Sequence, residues 1–151
     1  MYRILLVCIA LQLGLSSLLF ASGVDISVII NNFRNNKGQI LLALHNKPEA
    51  FPSNPDLAVQ SIFIPFETQA TLKKTAVTVT HTFKNVLPGT YAITSVHDEN
   101  SNDDIDLGFF GPVEGYGTSN DIRGIFGPPK FHDAKFVIAD QNVTIPISMG
   151  Y

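Results

Sequence analysis

The chain has 151 residues, 45% of them hydrophobic, with 10 basic against 13 acidic side chains. This length fits one domain and argues against two. The weak negative charge gives no general attraction to nucleic acid, so no nucleic-acid partner is expected. The single Cys excludes a disulfide framework and a cysteine-based zinc site.

The first 21 residues have the features of a secretory signal peptide. Arg3 precedes the 17 residues from Ile4 to Phe20, of which 13 are apolar and none is charged, and small residues follow at 21–23. A short basic start, an apolar run and a small-residue exit are typical of export signals. We therefore expect a signal-peptide helix at 1–21, removed on export to the periplasm or the extracellular space, and a mature domain at 22–151.

Removal of the signal peptide changes the composition of the remaining chain and limits what can stabilise it. The apolar run is short for a membrane span, so no stable membrane insertion is expected after cleavage. Cys8 lies within the run and leaves with it, and the mature domain keeps nine basic against 13 acidic side chains. A cysteine-free exported domain must be held together by its core or by a bound metal.

The mature domain has the alternation of apolar and polar residues that indicates β-strands. Residues 24–45 are predicted as a hairpin, because an alternating segment before the turn residues Arg34 to Gly38 is followed by an apolar run from Gln39 to His45. Three prolines at 46–56 indicate a loop. Further strands are predicted at Ser61 to Phe66 (an edge strand, because of Pro65), Ala76 to Phe83 and Tyr91 to Val96, with a closing hairpin of Ala134 to Ala139 and Val143 to Met149.

No stretch of the mature domain shows a helical period. About seven strands in a domain of this size predict an all-β fold, an antiparallel β-sandwich. The segment from His97 to Asp133 has no regular period and holds 6 of the 11 glycines and 8 of the 13 acidic residues. We expect it to be one long Gly/Asp-rich loop, ordered by its aromatic residues and covering one end of the sandwich.

The start of this loop has the spacing of a calcium site. Side chains with an oxygen ligand occupy every second position: Asp98, Asn100, Asn102, Asp104 and Asp106. A curved loop with oxygen-bearing side chains at alternate positions can surround Ca²⁺, which takes six to eight oxygen ligands. The loop is not an EF-hand, because Asp103 replaces the usual glycine and Phe109 the usual closing glutamate. Glu114, Asp121 or a backbone carbonyl is then needed to complete the ligand set.

The leading hypothesis is an exported, non-enzymatic module that binds one calcium ion and presents the ordered loop to a protein or glycan partner. Five acidic residues within 98–106 would repel one another without a cation. The first alternative is a metal-dependent hydrolase that uses His97, Asp98, His132 and Glu114, which requires the two imidazoles to converge. The second is a purely structural module in which an Asx-rich turn caps its own backbone.

Several blocks of the mature domain resemble the domain-of-unknown-function 2141 family of exported bacterial proteins. The blocks are Phe83 to Ile93, His97-Asp98-Glu99-Asn100, Gly111 to Gly117, Ser119-Asn120, and Gly127-Pro128-Pro129 with Phe131. The family usually has Gly after Asn102, where this chain has Asp103. The resemblance implies an exported β-sandwich without an established activity. The Leu-Pro-Gly-Thr-Tyr element at 87–91 also resembles prealbumin-like modules of carboxypeptidase regulatory domains, which implies an accessory or adhesive role.

Overall fold

The computed structural model describes residues 22–66, 77–109, 111–124 and 127–151. The predicted signal peptide at 1–21 and the predicted strand start at Ala76 lie outside the described residues. The strands found in the described residues are β1 Val24–Asn31, β2 Gln39–His45, β3 Gln60–Pro65, β4 Val79–Val86, β5 Gly89–Asp98, β6 Leu107–Gly108, β7 Gly111–Pro112, β8 Gly115–Thr118, β9 Phe136–Ile138 and β10 Val143–Ser148. Short helical turns lie at Pro55–Leu57, Ser119–Asp121 and Phe131–Ala134 (α1).

Two sheets enclose the hydrophobic core. One sheet has the order β10-β1-β4, and the other has the order β3-β2-β5-β8, with β9 paired to the beginning of β5. Strands β1 and β2 each send alternate side chains inward, and the following are fully buried: Ile26, Val28, Ile30, Ile40, Leu42 and Leu44. The predicted all-β sandwich is confirmed. Its pairing is antiparallel except between β1 and β10, which are parallel.

The predicted hairpin of residues 24–45 is wrong. Strand β1 pairs with β4 and β10, whereas β2 pairs with β3 and β5 in the opposite sheet. The connection between them leaves β1 with a positive φ at Asn32 and enters β2 with a positive φ at Gly38. The physical reason is that both strands have one apolar face. Placing them in opposite sheets buries the two faces against each other, which pairing them side by side would not do.

The predicted closing hairpin is also wrong. Strand β9 is only three residues long and pairs with Gly89–Tyr91 of β5, while β10 crosses to the other sheet and pairs with β1. The turn before β10 is tied to the start of β1, because the Asn142 side chain accepts a hydrogen bond from the backbone N–H of Asp25 at 2.9 Å. This contact directs the chain toward β1 and away from β9.

The segment 97–133 is not a single loop. His97 and Asp98 end β5, β6 and β7 form a small hairpin, and β8 continues the larger sheet beside β5. The strand β8 was missed because its sequence, Gly-Tyr-Gly-Thr, has no apolar alternation. Gly117 lies directly below β10, where a Cβ atom would stand 2.6 Å from the Cγ2 atom of Ile147. The close approach of backbone to side chain therefore requires glycine at this position.

Three single-strand predictions correspond to observed strands. The segment predicted at Ser61 to Phe66 is β3, and it lies at the edge of the larger sheet among the described residues. The strands predicted at 76–83 and 91–96 are β4 and β5, each displaced or lengthened by two or three residues. Among the described residues, no helix has both the length and the apolar character needed to cross a membrane.

A small second core covers the outer face of the larger sheet. Phe51, from the proline-rich loop, packs with Ala92 of β5 and with Ala134 and Phe131 of α1. His45 lies completely buried beneath it, with its ring edge-on to Phe51 and its Nε2 atom 3.0 Å from the Thr94 hydroxyl. Burial lowers the pKa of His45 from 6.5 to about 4, because a charged imidazole would lose its hydration there.

This burial predicts a pH-dependent loss of stability. The folded pKa of His45 lies below its unfolded value, so its contribution is complete above pH 6.5 and is lost as the pH falls toward about 4. At roughly 1.4 kcal/mol per pKa unit, the loss between pH 6.5 and pH 4 is about 3.5 kcal/mol. We expect a His45→Gln variant to show a smaller drop in unfolding free energy between these pH values, measured by urea denaturation. The matched control, exposed His132→Gln, should retain the full drop, and equal behaviour of the two variants would contradict the assignment.

Candidate functional site

The carboxylate of Asp98 organises the acidic loop. Asp98 ends β5 and is 1% exposed. Its Oδ1 atom accepts the backbone N–H of Asn102 at 3.1 Å, and its Oδ2 atom accepts the backbone N–H of Asp103 at 2.9 Å and the side-chain amide of Gln39 at 2.8 Å. Burial alone would raise the pKa of Asp98, but these donors and the Ser101 N–H lower it overall. The carboxylate therefore stays ionised and holds the loop curved around it.

Three of the predicted ligands meet within the loop. The side-chain amides of Asn100 and Asn102 donate to the two carboxylate oxygens of Asp106 at 2.8 and 3.1 Å. The Oδ1 atom of Asn100 also accepts the backbone N–H of Asn102 at 3.0 Å. Asp104 does not join them, because its carboxylate accepts the N–H of the next residue, Ile105, at 2.8 Å. The loop thus places one carboxylate and two amide groups at a common point.

Asp103 adopts the backbone conformation that the calcium-loop pattern assigns to glycine. Its φ is 66°, and Ser101 has a φ of 58°. Asp is among the few residues other than glycine that tolerate this left-handed region. The Asp103 carboxylate also accepts the Gln39 amide at 2.7 Å, which anchors the turn to β2. The substitution of Asp for Gly therefore preserves the turn.

Glu114 closes the loop from the other side. It is 4% exposed, and its two carboxylate oxygens accept the backbone N–H groups of Glu99 at 2.9 Å and Asp106 at 3.1 Å. Glu114 therefore joins the two ends of the loop through hydrogen bonds to the backbone, which is a structural role. The carboxylate has further acceptor capacity beyond these two bonds. Asp121, the other closing candidate, lies elsewhere, where its carboxylate accepts the backbone N–H of Ser148 at 2.7 Å.

A second hydrogen-bond network, which the sequence analysis missed, fixes His97 beneath the loop. His97 is completely buried. Its Nε2 atom lies 2.9 Å from the Lys37 carbonyl, which can only accept, so this nitrogen carries the proton. The Nδ1 atom then accepts from the Tyr151 hydroxyl at 2.7 Å, and that hydroxyl in turn accepts the backbone N–H of Arg34 at 3.1 Å. Both ring nitrogens are satisfied within the protein.

Arg34 and Asn35 bind the carboxylate that follows Asp98. The Arg34 Nε atom and the Asn35 side-chain amide donate to the two oxygens of Glu99, each at 2.6 Å. Burial tends to raise the pKa of Glu99, but these two donors lower it overall. The Arg34 guanidinium also lies over the Tyr151 ring, 4.6 Å from its centroid. Nothing in the sequence pattern places Arg34 beside Glu99, because they lie on different connections and meet only when the sheets pack.

The two histidines of the hydrolase hypothesis do not share an environment. His97 is paired with Gly115 near the end of β5, whereas α1, which contains His132, leads into the strand that pairs with the start of β5. His132 is exposed, and its Nδ1 atom lies 3.1 Å from the neighbouring Asp133 carboxylate. The convergence that the hydrolase requires is therefore absent from the described residues. Within the same described part of the chain, no three His, Cys, Asp or Glu side chains are grouped as a metal site.

An open groove of about 560 Å³ borders the acidic loop. Its lining residues are Asn36, Lys37, Gly38, Gln39, Pro65 and Ser101. Gly38 has a φ of +67°, and a Cβ atom there would stand 2.0 Å from the carbonyl oxygen of Asp98. The glycine lets the β1–β2 connection approach the end of β5, and this approach places the polar groups of the groove beside the loop.

A family model described as "Uncharacterized protein conserved in bacteria (DUF2141)" matches residues 28–146. The match covers every residue of the acidic loop, all of the larger sheet and most of the smaller one, and it agrees with the family resemblance found in the sequence. Neither the comparison with curated proteins nor the comparison with solved structures returned a match. The chemistry of the site therefore has to be argued from its own geometry.

The His97 network predicts a selective cost for removing one hydroxyl. Tyr151→Phe keeps the ring under Arg34 but leaves the Nδ1 atom of buried His97 without a donor. We expect the free energy of unfolding to fall by about 1–2 kcal/mol, measured by urea denaturation. The control is Tyr116→Phe, since the Tyr116 hydroxyl has no hydrogen bond among the described residues, and it should change stability by less than about 0.5 kcal/mol. Equal effects of the two variants would show that the hydroxyl of Tyr151 is not needed.

Proposed function

The chain belongs to the DUF2141 family, and we propose that it is an exported, non-enzymatic β-sandwich module that binds one calcium ion through the 98–106 loop. The observation that carries this proposal is the meeting of Asn100, Asn102 and Asp106 at one point of a loop with alternating oxygen groups. Carboxylate and amide oxygens at alternate positions of a curved loop are the ligands that calcium prefers.

The charge of the loop supports the same proposal. The hydrogen bonds to Asp98 and Glu99 lower the pKa of both carboxyl groups, so they are ionised at neutral pH. Asp103 and Asp104 are exposed in the same loop, and Asp106 is half-buried there. Within the part of the chain that the structure describes, one cation, Arg34, forms a salt bridge with a carboxylate of this loop, that of Glu99. A bound divalent cation would relieve the remaining repulsion.

The structure divides the predicted ligands into two groups. Asp98 accepts several N–H donors and shapes the loop, so its removal would damage the loop with or without metal. Asn100, Asn102 and Asp106 are the predicted ligands closest to one another. To bind an ion beside Asp106, each amide would have to turn its oxygen away from the backbone N–H that it now accepts. Asp104, Glu114 and backbone carbonyls are the candidates to complete a shell of six or more oxygens.

The ordered loop and the groove beside it form the surface that we propose for partner binding. Lys37 and Ser101 are among the residues that line this groove, and their side chains carry hydrogen-bond donors, whereas both N–H groups of the Gln39 amide are already used by Asp98 and Asp103. Such donors suit the hydroxyl and carboxylate groups of a glycan, or polar groups of a protein segment. Binding to an immobilised glycan panel, compared with and without calcium, tests this part of the proposal.

Calcium binding has a direct test. Calorimetric titration of the purified protein with calcium should release or absorb heat with a one-to-one stoichiometry. Calcium in hundredfold excess over its dissociation constant should raise the unfolding free energy by about 2.7 kcal/mol relative to chelator. We expect Asp106→Ala to abolish the heat and the stabilisation. Asp140→Ala removes the same charge from a turn far along the chain and should retain both.

The Asp98→Ala variant separates the two groups of residues. Because the Asp98 carboxylate accepts the N–H groups of Asn102 and Asp103, this variant should be clearly destabilised even in chelator. Asp106→Ala removes two exposed hydrogen bonds from side-chain amides, so its loss of stability in chelator should be smaller, and it should also lose the calcium response. No heat from the unmodified protein, together with an unchanged melting temperature, would refute calcium binding. The purely structural module would then be the better account of the loop.

A further inference from the structure

Strand β3 leaves one side of the larger sheet unpaired. It pairs with β2 and is the last strand of the order β3-β2-β5-β8 among the described residues. Ser61 and Ile62 are exposed, and Phe63 is 42% exposed. We call the side of β3 that faces away from β2 the open edge. An open edge presents backbone groups that another extended chain can bind.

The pairing with β2 determines which backbone groups lie on the open edge. The N–H of Phe66 donates to the carbonyl of Gly38 at 3.3 Å, in the register that pairs β3 with β2. Bonded and non-bonded pairs alternate along an antiparallel ladder, so the even-numbered residues of β3 direct their N–H and C=O groups toward β2. The odd-numbered residues Ser61, Phe63 and Pro65 therefore direct theirs toward the open edge.

Pro65 gives the open edge more acceptors than donors. A proline is tolerated in an edge strand where its missing N–H faces away from the ladder, which is the case here. The open edge therefore carries three carbonyls but two N–H groups, those of Ser61 and Phe63. Within the described parts of the chain, neither N–H has a backbone partner. A matching chain must supply acceptors opposite these two donors.

The open edge carries no charge that would repel a second chain. Natural edge strands are commonly protected by charged side chains. Residues 57–66 contain no Lys, Arg, Asp or Glu, although the chain as a whole has a net charge of −3. Large apolar side chains are exposed there instead, since Leu57, Val59, Ile62 and Phe63 are between 37% and 59% exposed. Two copies of this acidic chain therefore repel each other least at this segment.

We infer that two copies of the chain pair antiparallel through their open edges, with Phe63 of one copy opposite Phe63 of the other. In this register the N–H of each Phe63 donates to the carbonyl of the other Phe63. The N–H of each Ser61 donates to the Pro65 carbonyl of the other copy. Every N–H on both open edges is then used, and Pro65 only accepts. The contact is isologous and joins the two larger sheets into one.

The side chains favour this register over its neighbour. A shift by two residues, which centres the pair on Ile62, also gives four hydrogen bonds but places each Phe63 ring opposite Ser61. The register centred on Phe63 brings the two exposed rings together on the outer face, and facing aromatic residues stabilise a strand pair. On the inner face it places Ile62, which is 37% exposed, opposite Ile64 of the other copy. Both apolar faces of the strand then lose exposure.

Sedimentation equilibrium of the purified protein at increasing concentrations tests the pairing. We expect a monomer–dimer equilibrium for the unmodified protein. Phe63→Lys replaces the two facing rings by two facing positive charges and should weaken dimerisation by about tenfold or more. Val137→Lys is the matched control, because Val137 is 73% exposed on β9 and its variant should dimerise as the unmodified protein does.

A second pair of variants tests the backbone hydrogen bonds. Ser61→Pro and Ser61→Ala both remove the hydroxyl, but only the proline also removes the N–H on the open edge. That N–H makes no bond to β2, so the ladder within the domain is kept. We expect Ser61→Pro to weaken dimerisation by about tenfold and Ser61→Ala to change it by less than about threefold. Circular dichroism checks that each variant is folded, and Phe63→Lys decides alone if Ser61→Pro is not.

Amide hydrogen exchange identifies the edge that pairs. The N–H groups of Ser61 and Phe63 should become protected as the protein concentration rises, whereas that of Ile62, which faces β2, should be protected at every concentration. A monomer at all concentrations would overturn the self-pairing and leave the open edge to an extended segment of another protein. A dimer that Phe63→Lys does not weaken, or that Val137→Lys weakens equally, would place the contact elsewhere and overturn the inference.

Discussion

The buried carboxylate of Asp98 is the constraint on which the rest of the site depends. A charge that ends a strand with almost no exposure is tolerated only when donors surround it, and here backbone N–H groups and Gln39 provide them. To reach Asp98, these N–H groups must fold back over it, which gives Ser101 and Asp103 their positive φ angles. The shape of the acidic loop and the meeting of Asn100 and Asn102 with Asp106 follow from this one group.

The fold class could be predicted because alternation of apolar residues is a local property. Strand β1 shows it clearly, and β2 is a continuous apolar run; β1, β2 and β5 were each located to within a few residues. Strand pairing is not local, and both predicted hairpins were wrong. A turn sequence such as Arg34 to Gly38 allows the chain to reverse, but it does not determine whether the next strand joins the same sheet or the opposite one. That choice depends on which apolar faces must cover each other.

The candidate site likewise has a local part, which the sequence predicts, and a long-range part, which it does not. The acidic ladder from Asp98 to Asp106 was visible in the sequence because its members are close along the chain. The partners that hold it, Gln39 and Arg34, lie about sixty residues earlier and became recognisable only when the β1–β2 connection was seen against the end of β5. The alternating pattern also predicted the oxygen-bearing side chains at alternate positions from Asp98 to Asp106 equally as calcium ligands. The structure distinguishes Asp98 and Glu114, which accept backbone N–H groups, from the residues that meet at Asp106.

The parallel pairing of β1 with β10 has a consequence for how the domain is made. Among the described residues β1 is the first strand and β10 the last, so β1, the central strand of the smaller sheet, obtains one neighbour only after more than a hundred further residues have been added. Contacts of such long sequence separation form slowly, because a large loop must close first. The order of the strands itself therefore delays completion of the smaller sheet, and β1 keeps one edge unpaired until the last strand is present.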